Sequence, residues 1–137
     1  MAIKIYGRLS SANVQKINWF CEYANINVIN LNYGGVHGKT QTTEFKDMNP
    51  NSRVPVLDDN NFILYESNAI LRYLSKKFDI LVEEKNEISG KIDQWIDWGS
   101  FTFASPCSLL TAHKLSLPQD QRDELIADKA KNDILSL

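Results

Sequence analysis

The sequence contains little cysteine, and its cysteines do not form the spacings of a redox or zinc site. Only Cys21 and Cys107 occur among the 137 residues, far apart and among apolar neighbours. Thiol-exchange motifs such as C-x-x-C and zinc-ligand spacings are therefore excluded. We expect two buried, reduced thiols, which are typical of a cytoplasmic protein, and no metal site.

The sequence also lacks an excess of basic residues and any long apolar segment. It has 15 Lys and Arg against 17 Asp and Glu, a formal net charge of −2, whereas nucleic-acid-binding domains are usually strongly basic. Its start, MAIKIYGRLSS, has no apolar core of a signal peptide, and no apolar run is long enough to cross a bilayer. Neither nucleic acid nor a membrane is an expected partner, and a cytoplasmic location is predicted.

The first residues have the pattern of a β-α-β unit. Ala2–Tyr6 alternates isoleucine with polar residues, as in a short strand. The following turn ends in two good helix N-caps, Ser10 and Ser11. Helical spacing then places four residues on one stripe: Val14, Ile17, Cys21 and Ala24. Asn27–Asn32 predicts a second strand. The β-α-β unit so formed requires parallel strands and a right-handed crossover.

The next segment predicts a short helix and a β-hairpin. Three glycines make Tyr33–Gln41 a loop, and Thr42–Met48 can form one short helix. Val54–Leu57 and Phe62–Leu64 have the composition of strands. The four Asp and Asn residues between them, 58–61, are a strong hairpin signal, so this pair should be antiparallel.

The remainder of the chain predicts helices. One helix opens near Glu66 and Ser67 and should bury a stripe of Ile70, Leu74 and Phe78. Two later stripes consist of Ile88, Ile92, Trp95 and Gly99, and, from about Pro118, of Ile126, Ala130, Ile134 and Leu137. We expect an α/β domain at 1–80, a linker at 81–87 and an all-α domain at 88–137.

Three motifs in this order resemble the glutathione transferase family: GRLSSANVQK at the first turn, NPNSRVPVL before the hairpin and LYESNAILRYL at the third helix. The resemblance is nearest to bacterial members with an N-terminal serine, close to the theta and delta classes. It implies a thioredoxin-like βαβ-ββα domain followed by an all-helical domain. Only the opening helices of the second domain are matched, so an incomplete all-α domain and a truncated chain are expected.

The resemblance implies a site for glutathione as co-substrate. A proline within an apolar run indicates a turn, and the family has a cis peptide bond at the position of Val54–Pro55. Val54 would then pair with the cysteinyl backbone of the tripeptide. Glu66 and Ser67, at a helix N-terminus, would hold the γ-glutamyl group. Arg53 or Lys39 would bind the glycyl carboxylate.

The first turn would activate the thiol. A hydroxyl that donates to the sulfur at a helix N-terminus favours the thiolate. The family's Ser-x-Pro pattern assigns this role to Ser10, but Ala12 replaces the proline, and Ser11 and Asn13 remain alternative donors.

These features predict a detoxifying transferase that conjugates glutathione to a small hydrophobic electrophile, as a homodimer. The alternative is a non-catalytic glutathione-transferase-like module that binds partners and has weak or no turnover. A thiol-transferring redox protein is less favoured because its C-x-x-C is missing. The last apolar stripe reaches the end of the sequence, which is consistent with an incomplete all-α domain. Because that domain would line the electrophile pocket, we expect glutathione binding to be retained better than conjugation.

Overall fold

The first part of the molecule is a mixed four-stranded sheet. A computed structural model describes residues 2–137, which divide into two compact units, one ending at Val82 and the other beginning at Glu83. The strand order is β2-β1-β3-β4, with β1 and β2 parallel and β3 antiparallel to both β1 and β4. The strands are β1 (Ile3–Tyr6), β2 (Val28–Leu31), β3 (Val56–Asp59) and β4 (Phe62–Tyr65).

Two helices cover the sheet and bury its main core. The helices of this unit are α1 (Ala12–Tyr23), α2 (Thr43–Met48) and α3 (Ser67–Phe78). The core joins both β1 and β3 to α1 and α3 through Ile3, Ile5, Val14, Ile17, Phe20, Cys21, Leu57, Ile70 and Leu74. Phe45 of α2 is also buried, but it stacks on Tyr33 instead. The predicted thioredoxin-like βαβ-ββα order is confirmed.

The hairpin differs from the sequence prediction in its bounds. Asp58 and Asp59, predicted as turn residues, belong to β3, and the turn itself is only Asn60 and Asn61. Both asparagines have positive φ, 55° and 71°, which is the conformation that a two-residue hairpin turn requires. The strand begins at Val56 and not at Val54, because Val54 and Pro55 form the turn before it.

The two buried aspartates hold the hairpin to its neighbours. Asp58 accepts from Lys4 of β1 at 3.0 Å and from the backbone N–H of Asn61 at 2.9 Å. Asp59 accepts from the Tyr73 hydroxyl at 2.6 Å and also pairs with Lys77, both on α3. Burial by itself would raise the pKa of Asp59, but hydrogen bonds from Lys77 and Tyr73 outweigh it and hold that pKa below its usual range.

The second unit is helical throughout. Its α-helices are α4 (Asn86–Asp97), α5 (Ala104–Thr111) and α6 (Glu124–Leu135), with π-helical turns at Trp98–Phe103 and Ala112–Ser116 and a 3₁₀ turn at Gln119–Gln121. Helix α4 begins at Asn86, inside the segment 81–87 that the sequence predicted as a linker. Lys85, whose backbone is extended, is its N-cap.

The last helix begins later than predicted and buries only part of the predicted stripe. A 3₁₀ turn at Gln119–Gln121 precedes the helix, and Asp123 caps α6, since its carboxylate accepts from the N–H groups of Leu125 and Ile126. Ala127 and Ala130 are buried, whereas Ile126 and Leu137 are exposed. The predicted stripe is thus confirmed at Ala130, and Ile134 is half-buried, but the prediction is wrong at Ile126 and Leu137. The small side chains allow α6 to pack closely on α5.

Among residues 2–137, no helix is both long and apolar enough to cross a membrane. The same residues include no cluster of His, Cys, Asp and Glu side chains that could ligate a metal ion.

The aspartate network predicts a loss of stability in acid. The pKa values of Asp58 and Asp59 are lowered on folding. The stability that these two carboxylates contribute is therefore complete above the unfolded-state pKa of about 3.9, and it is lost as the pH falls through the lower folded-state pKa values. We expect the free energy of unfolding, measured by urea denaturation, to decrease below about pH 4. Asp59→Asn should make the free energy of unfolding less dependent on pH in this range, because one of the titrating carboxylates is removed. The same change should destabilise the protein at pH 7, because it breaks the ion pair with Lys77.

Asp79→Asn is the matched control for this change. Asp79 is exposed and has a left-handed conformation at the end of α3, which asparagine also adopts readily. An equal loss of stability in both variants at pH 7 would contradict the role of the Asp59 network.

Candidate functional site

A cavity of about 280 Å³ opens where three loops of the first unit meet. It is lined by Arg8 and Ser11 from the turn after β1, by Gly34, Gly35 and Thr40 from the loop after β2, and by Ser52, Arg53 and Val54 from the turn before β3. Three predicted site residues, Ser11, Arg53 and Val54, therefore line one cavity. Ser10 and Lys39 are not among its lining residues.

Gly7 brings the first turn against the turn before β3. Its N–H donates to the Leu31 carbonyl at 2.8 Å, which continues the pairing of β1 with β2. A Cβ on Gly7 would lie 2.4 Å from Cγ2 of Val14 and 3.4 Å from Cβ of Val54. Only glycine allows this approach, so the absence of a side chain here sets the position of Ser11 relative to Val54.

Ser11 is the N-cap residue of α1, but its hydroxyl makes no capping hydrogen bond. Its backbone carbonyl accepts from the N–H groups of Val14 and Gln15, at 3.0 and 2.9 Å. The hydroxyl is thus available beside the cavity, at the positive end of the α1 dipole. Ser10 is exposed in the preceding turn.

Asn49 holds the turn that presents Arg53 and Val54. Its side chain is buried, with Nδ2 donating to the Arg53 carbonyl at 2.7 Å and Oδ1 accepting from the Asn51 N–H at 3.0 Å. The Val54–Pro55 peptide bond is cis, as expected. Because the β1–β3 and β3–β4 registers begin at Val56, Val54 lies outside the ladder.

Arg8 is the cavity residue that the sequence analysis missed. Its side chain crosses the loop after β2 so closely that a Cβ on Gly35 would lie 2.8 Å from Cδ and 3.1 Å from Nε. Gly34 and Gly35 both have positive φ, 79° and 57°. Arg8 and Arg53 give the cavity two guanidinium groups, which suit a ligand carboxylate. The sequence gives no local signal for this placement, because it depends on Gly35, which is distant in the chain.

The predicted residues at the start of α3 form a second cluster. Glu66 is exposed and has φ of 68°, and its carbonyl accepts from the Ile70 N–H at 2.9 Å. Ser67 is buried, and its hydroxyl donates to Oδ1 of Asn13 at 3.3 Å. Asn13 is thereby held against α3 and does not line the cavity, in contrast to Ser11 two residues earlier.

Lys39, an alternative to Arg53 for the glycyl carboxylate, lies beside an aromatic ring. Its ammonium lies 5.2 Å from the centroid of the Tyr33 ring, and its carbonyl accepts from the Thr42 hydroxyl at 3.1 Å. Thr40, the next residue, lines the cavity in its place.

The cysteine of α1 is unsuited to thiol exchange. Cys21 is buried in the main core, and this burial raises the pKa of its thiol to about 11. Very little thiolate would be present at neutral pH. Cys107, in α5, is a free and half-buried thiol.

Comparison with known proteins identifies the family. The family model of the glutathione S-transferase N-terminal domain matches residues 1–76. Glutathione S-transferase GstB of Escherichia coli K12 is 29% identical over 130 residues, which cover 92% of this chain and 62% of the relative. Mouse glutathione S-transferase theta-3 is 32% identical over 84 residues, which cover 59% of this chain and 35% of the relative.

Solved structures agree with this assignment. The theta-class glutathione S-transferase of Xanthomonas axonopodis pv. citri, solved with glutathione bound, matches with a TM-score of 0.91 and 34% identity over 97% of this chain and 65% of that one. Ure2p in complex with glutathione, at 19% identity and a TM-score of 0.87, shares the fold. The chain spans somewhat less than two thirds of the length of GstB and of the Xanthomonas enzyme. Since the family model matches more than half of it, this chain belongs to the glutathione S-transferase family.

Proposed function

We propose that the protein is a glutathione transferase, which binds glutathione, stabilises its thiolate and conjugates it to a small hydrophobic electrophile. The observation that carries this proposal is the cavity shared by Ser11, Arg53 and Val54. The bound glutathione in the Xanthomonas relative supports the choice of ligand.

The polar groups around the cavity complement the tripeptide. An extended peptide can pair with the free edge at Val54, where the sheet ladder has not begun. Arg53 and Arg8 supply cations for the glycyl carboxylate, in place of the predicted Lys39. At the other end, Ser67 and the N-terminus of α3 suit the γ-glutamyl carboxylate, and the exposed Glu66 suits its ammonium.

Ser11 is the donor that best fits thiol activation. A free thiol has a pKa of about 8.5, and lowering it by about 2 units requires roughly 2.7 kcal/mol of differential stabilisation. One charge-assisted hydrogen bond and the helix dipole can supply this amount. Ser11 lines the cavity with an uncommitted hydroxyl, whereas Ser10 does not line it and Asn13 contacts Ser67.

The proposed reaction is a nucleophilic substitution by the glutathione thiolate at a carbon atom of the electrophile. The thiol proton leaves to water, and the thiolate electron pair forms a C–S bond with the electrophilic carbon. The bond from that carbon to its leaving group breaks, and the leaving group departs with the electron pair as an anion such as chloride. The residues of the site bind and orient the thiolate, and no oxidant or reductant is required.

A homodimer is part of the proposal. Helix α4 carries exposed apolar side chains at helical spacing, Ile88, Ile92 and Trp95, of which Trp95 is 62% accessible. A contiguous apolar face of this kind is typical of a protein–protein interface, and the same face on a second copy can cover it.

The site assignment predicts selective loss of glutathione binding. The protein should be retained on immobilised glutathione, and Glu66→Ala should weaken binding, measured by titration calorimetry, by about tenfold or more, because one charge-assisted hydrogen bond is lost. The free energy of unfolding should change little, since Glu66 is exposed. Glu22→Ala, on the exposed face of α1, should bind normally. Unchanged affinity in the Glu66 variant would contradict the assignment.

A measurement of catalytic turnover distinguishes the proposed transferase from the non-catalytic module. Conjugation of an aromatic chloride by the wild-type chain should be measurable but weak, whereas glutathione binding should be clear. Glutathione binding without conjugation would instead support a non-catalytic glutathione-binding module.

The thiol donor can be identified by titration. Ser11→Ala should raise the pKa of bound glutathione by about one to two units, read from thiolate absorbance against pH, because a donor to the sulfur is removed. Ser10→Ala is the matched control and should leave this pKa unchanged. The opposite result would assign the role to Ser10.

The oligomer prediction concerns the α4 face. Sedimentation should give twice the 15.6 kDa of one chain, and Ile92→Asp should give the monomer because it places a charge in the contact. Leu125→Asp makes the same chemical change on an exposed residue of α6 and should leave the dimer intact. A wild-type monomer at micromolar concentration would exclude this interface.

A further inference from the structure

Lys16 lies where the N-terminal halves of α1 and α3 meet. Its ammonium donates to Oδ1 of Asn68 at 2.6 Å. Three residues earlier on α1, the side chain of Asn13 accepts from Ser67 at 3.3 Å. Residues at this spacing share one helix face, so α1 presents two polar contacts to the first two residues of α3.

The rest of the contact between these helices has no need of a lysine. Toward their C-terminal ends, α1 and α3 meet through buried apolar residues such as Ile17, Phe20, Ile70 and Leu74. Lys16 is only half exposed, and burial lowers the pKa of its ammonium, an effect that the negative charge of Glu66 opposes. Within residues 2–137 it forms no ion pair, and its direct partner is the neutral amide of Asn68.

A partly buried cation with a neutral partner costs folding free energy that an apolar side chain would not cost. For the helix contact alone, methionine at this position would therefore serve about as well as Lys16. What distinguishes its position is proximity to Ser67 and Asn68 at the start of α3 and to the charge of Glu66. Ser67 and Glu66 are the residues assigned to the γ-glutamyl group in the proposed function.

We propose that Lys16 binds the α-carboxylate of the γ-glutamyl head and, together with Glu66, makes this subsite selective for a zwitterionic head. This inference rests on the proposed function. An ammonium has three N–H donors, of which Asn68 uses one, so two remain for a ligand carboxylate. Glu66 takes the ligand ammonium.

Lys16 then pairs with the α-carboxylate of the ligand, and Glu66 pairs with its ammonium. Glutathione satisfies both Lys16 and Glu66. A ligand that lacks either head-group charge leaves one partly desolvated protein charge without a partner, which is the kind of penalty that gives specificity.

The test compares glutathione with γ-aminobutyryl-Cys-Gly, which lacks only the α-carboxylate, by titration calorimetry. Lys16→Met should weaken glutathione binding by about tenfold or more, and it should change the affinity for the analogue by less than about threefold. Lys16→Arg should restore most of the preference for glutathione. Lys76→Met, at an exposed position of α3, should behave as wild type with both ligands.

The outcomes separate this inference from the function on which it rests. Equal weakening of both ligands in Lys16→Met would show that Lys16 only holds α3 through Asn68, and it would overturn the proposal. Unchanged glutathione affinity in that variant would also overturn it, while glutathione binding by the wild type would leave the proposed function intact. Failure of the wild-type chain to bind glutathione would overturn both.

Discussion

Close approach at Gly7 is the constraint on which the cavity depends. The turn after β1 must pass between Val14 of α1 and Val54 before β3, and a single added methyl group at Gly7 would lie 2.4 Å from Val14. Because side-chain packing in a protein interior leaves little free volume, this contact sets the distance between the N-terminus of α1 and the Val54 turn. Asn49 provides the complementary constraint, since its two hydrogen bonds hold the turn from the opposite side.

Stability and the proposed ligand recognition depend on charges in different parts of the first unit. Asp58 and Asp59, at the hairpin, are neutralised by Lys4 and Lys77 within the fold. Arg8 and Arg53, in contrast, form no ion pair within residues 2–137, although both line the cavity. Charges that the fold does not pair are available for an external partner, and this distribution is what makes an anionic peptide a suitable ligand.

The order of elements could be predicted from the sequence because it depends on local patterns. Alternation at Ile3 and Ile5, helical spacing from Val14 to Cys21, and the proline at 55 each specify a local geometry. The parallel pairing of β1 and β2 follows from the β-α-β order of the first elements. The hairpin bounds could not be predicted in this way. Aspartate is common in turns, and only the contacts of Asp59 with Tyr73 and Lys77, distant in sequence, show that it is buried in a strand.

The site was predictable as a set of segments and less so as a set of side chains. The Val54–Pro55 turn and the start of α3 have sequence signals of their own, whereas the choice between Ser10 and Ser11 depends on which residue caps α1. Arg8 and Lys16 carry no local signal, because their environments are created by Gly35 and by Asn68, residues far away in the chain. The functions proposed for these two cations depend on packing that withdraws them from water next to the site. A search for further recognition residues in this family should therefore begin with half-buried charges whose nearest partners are neutral.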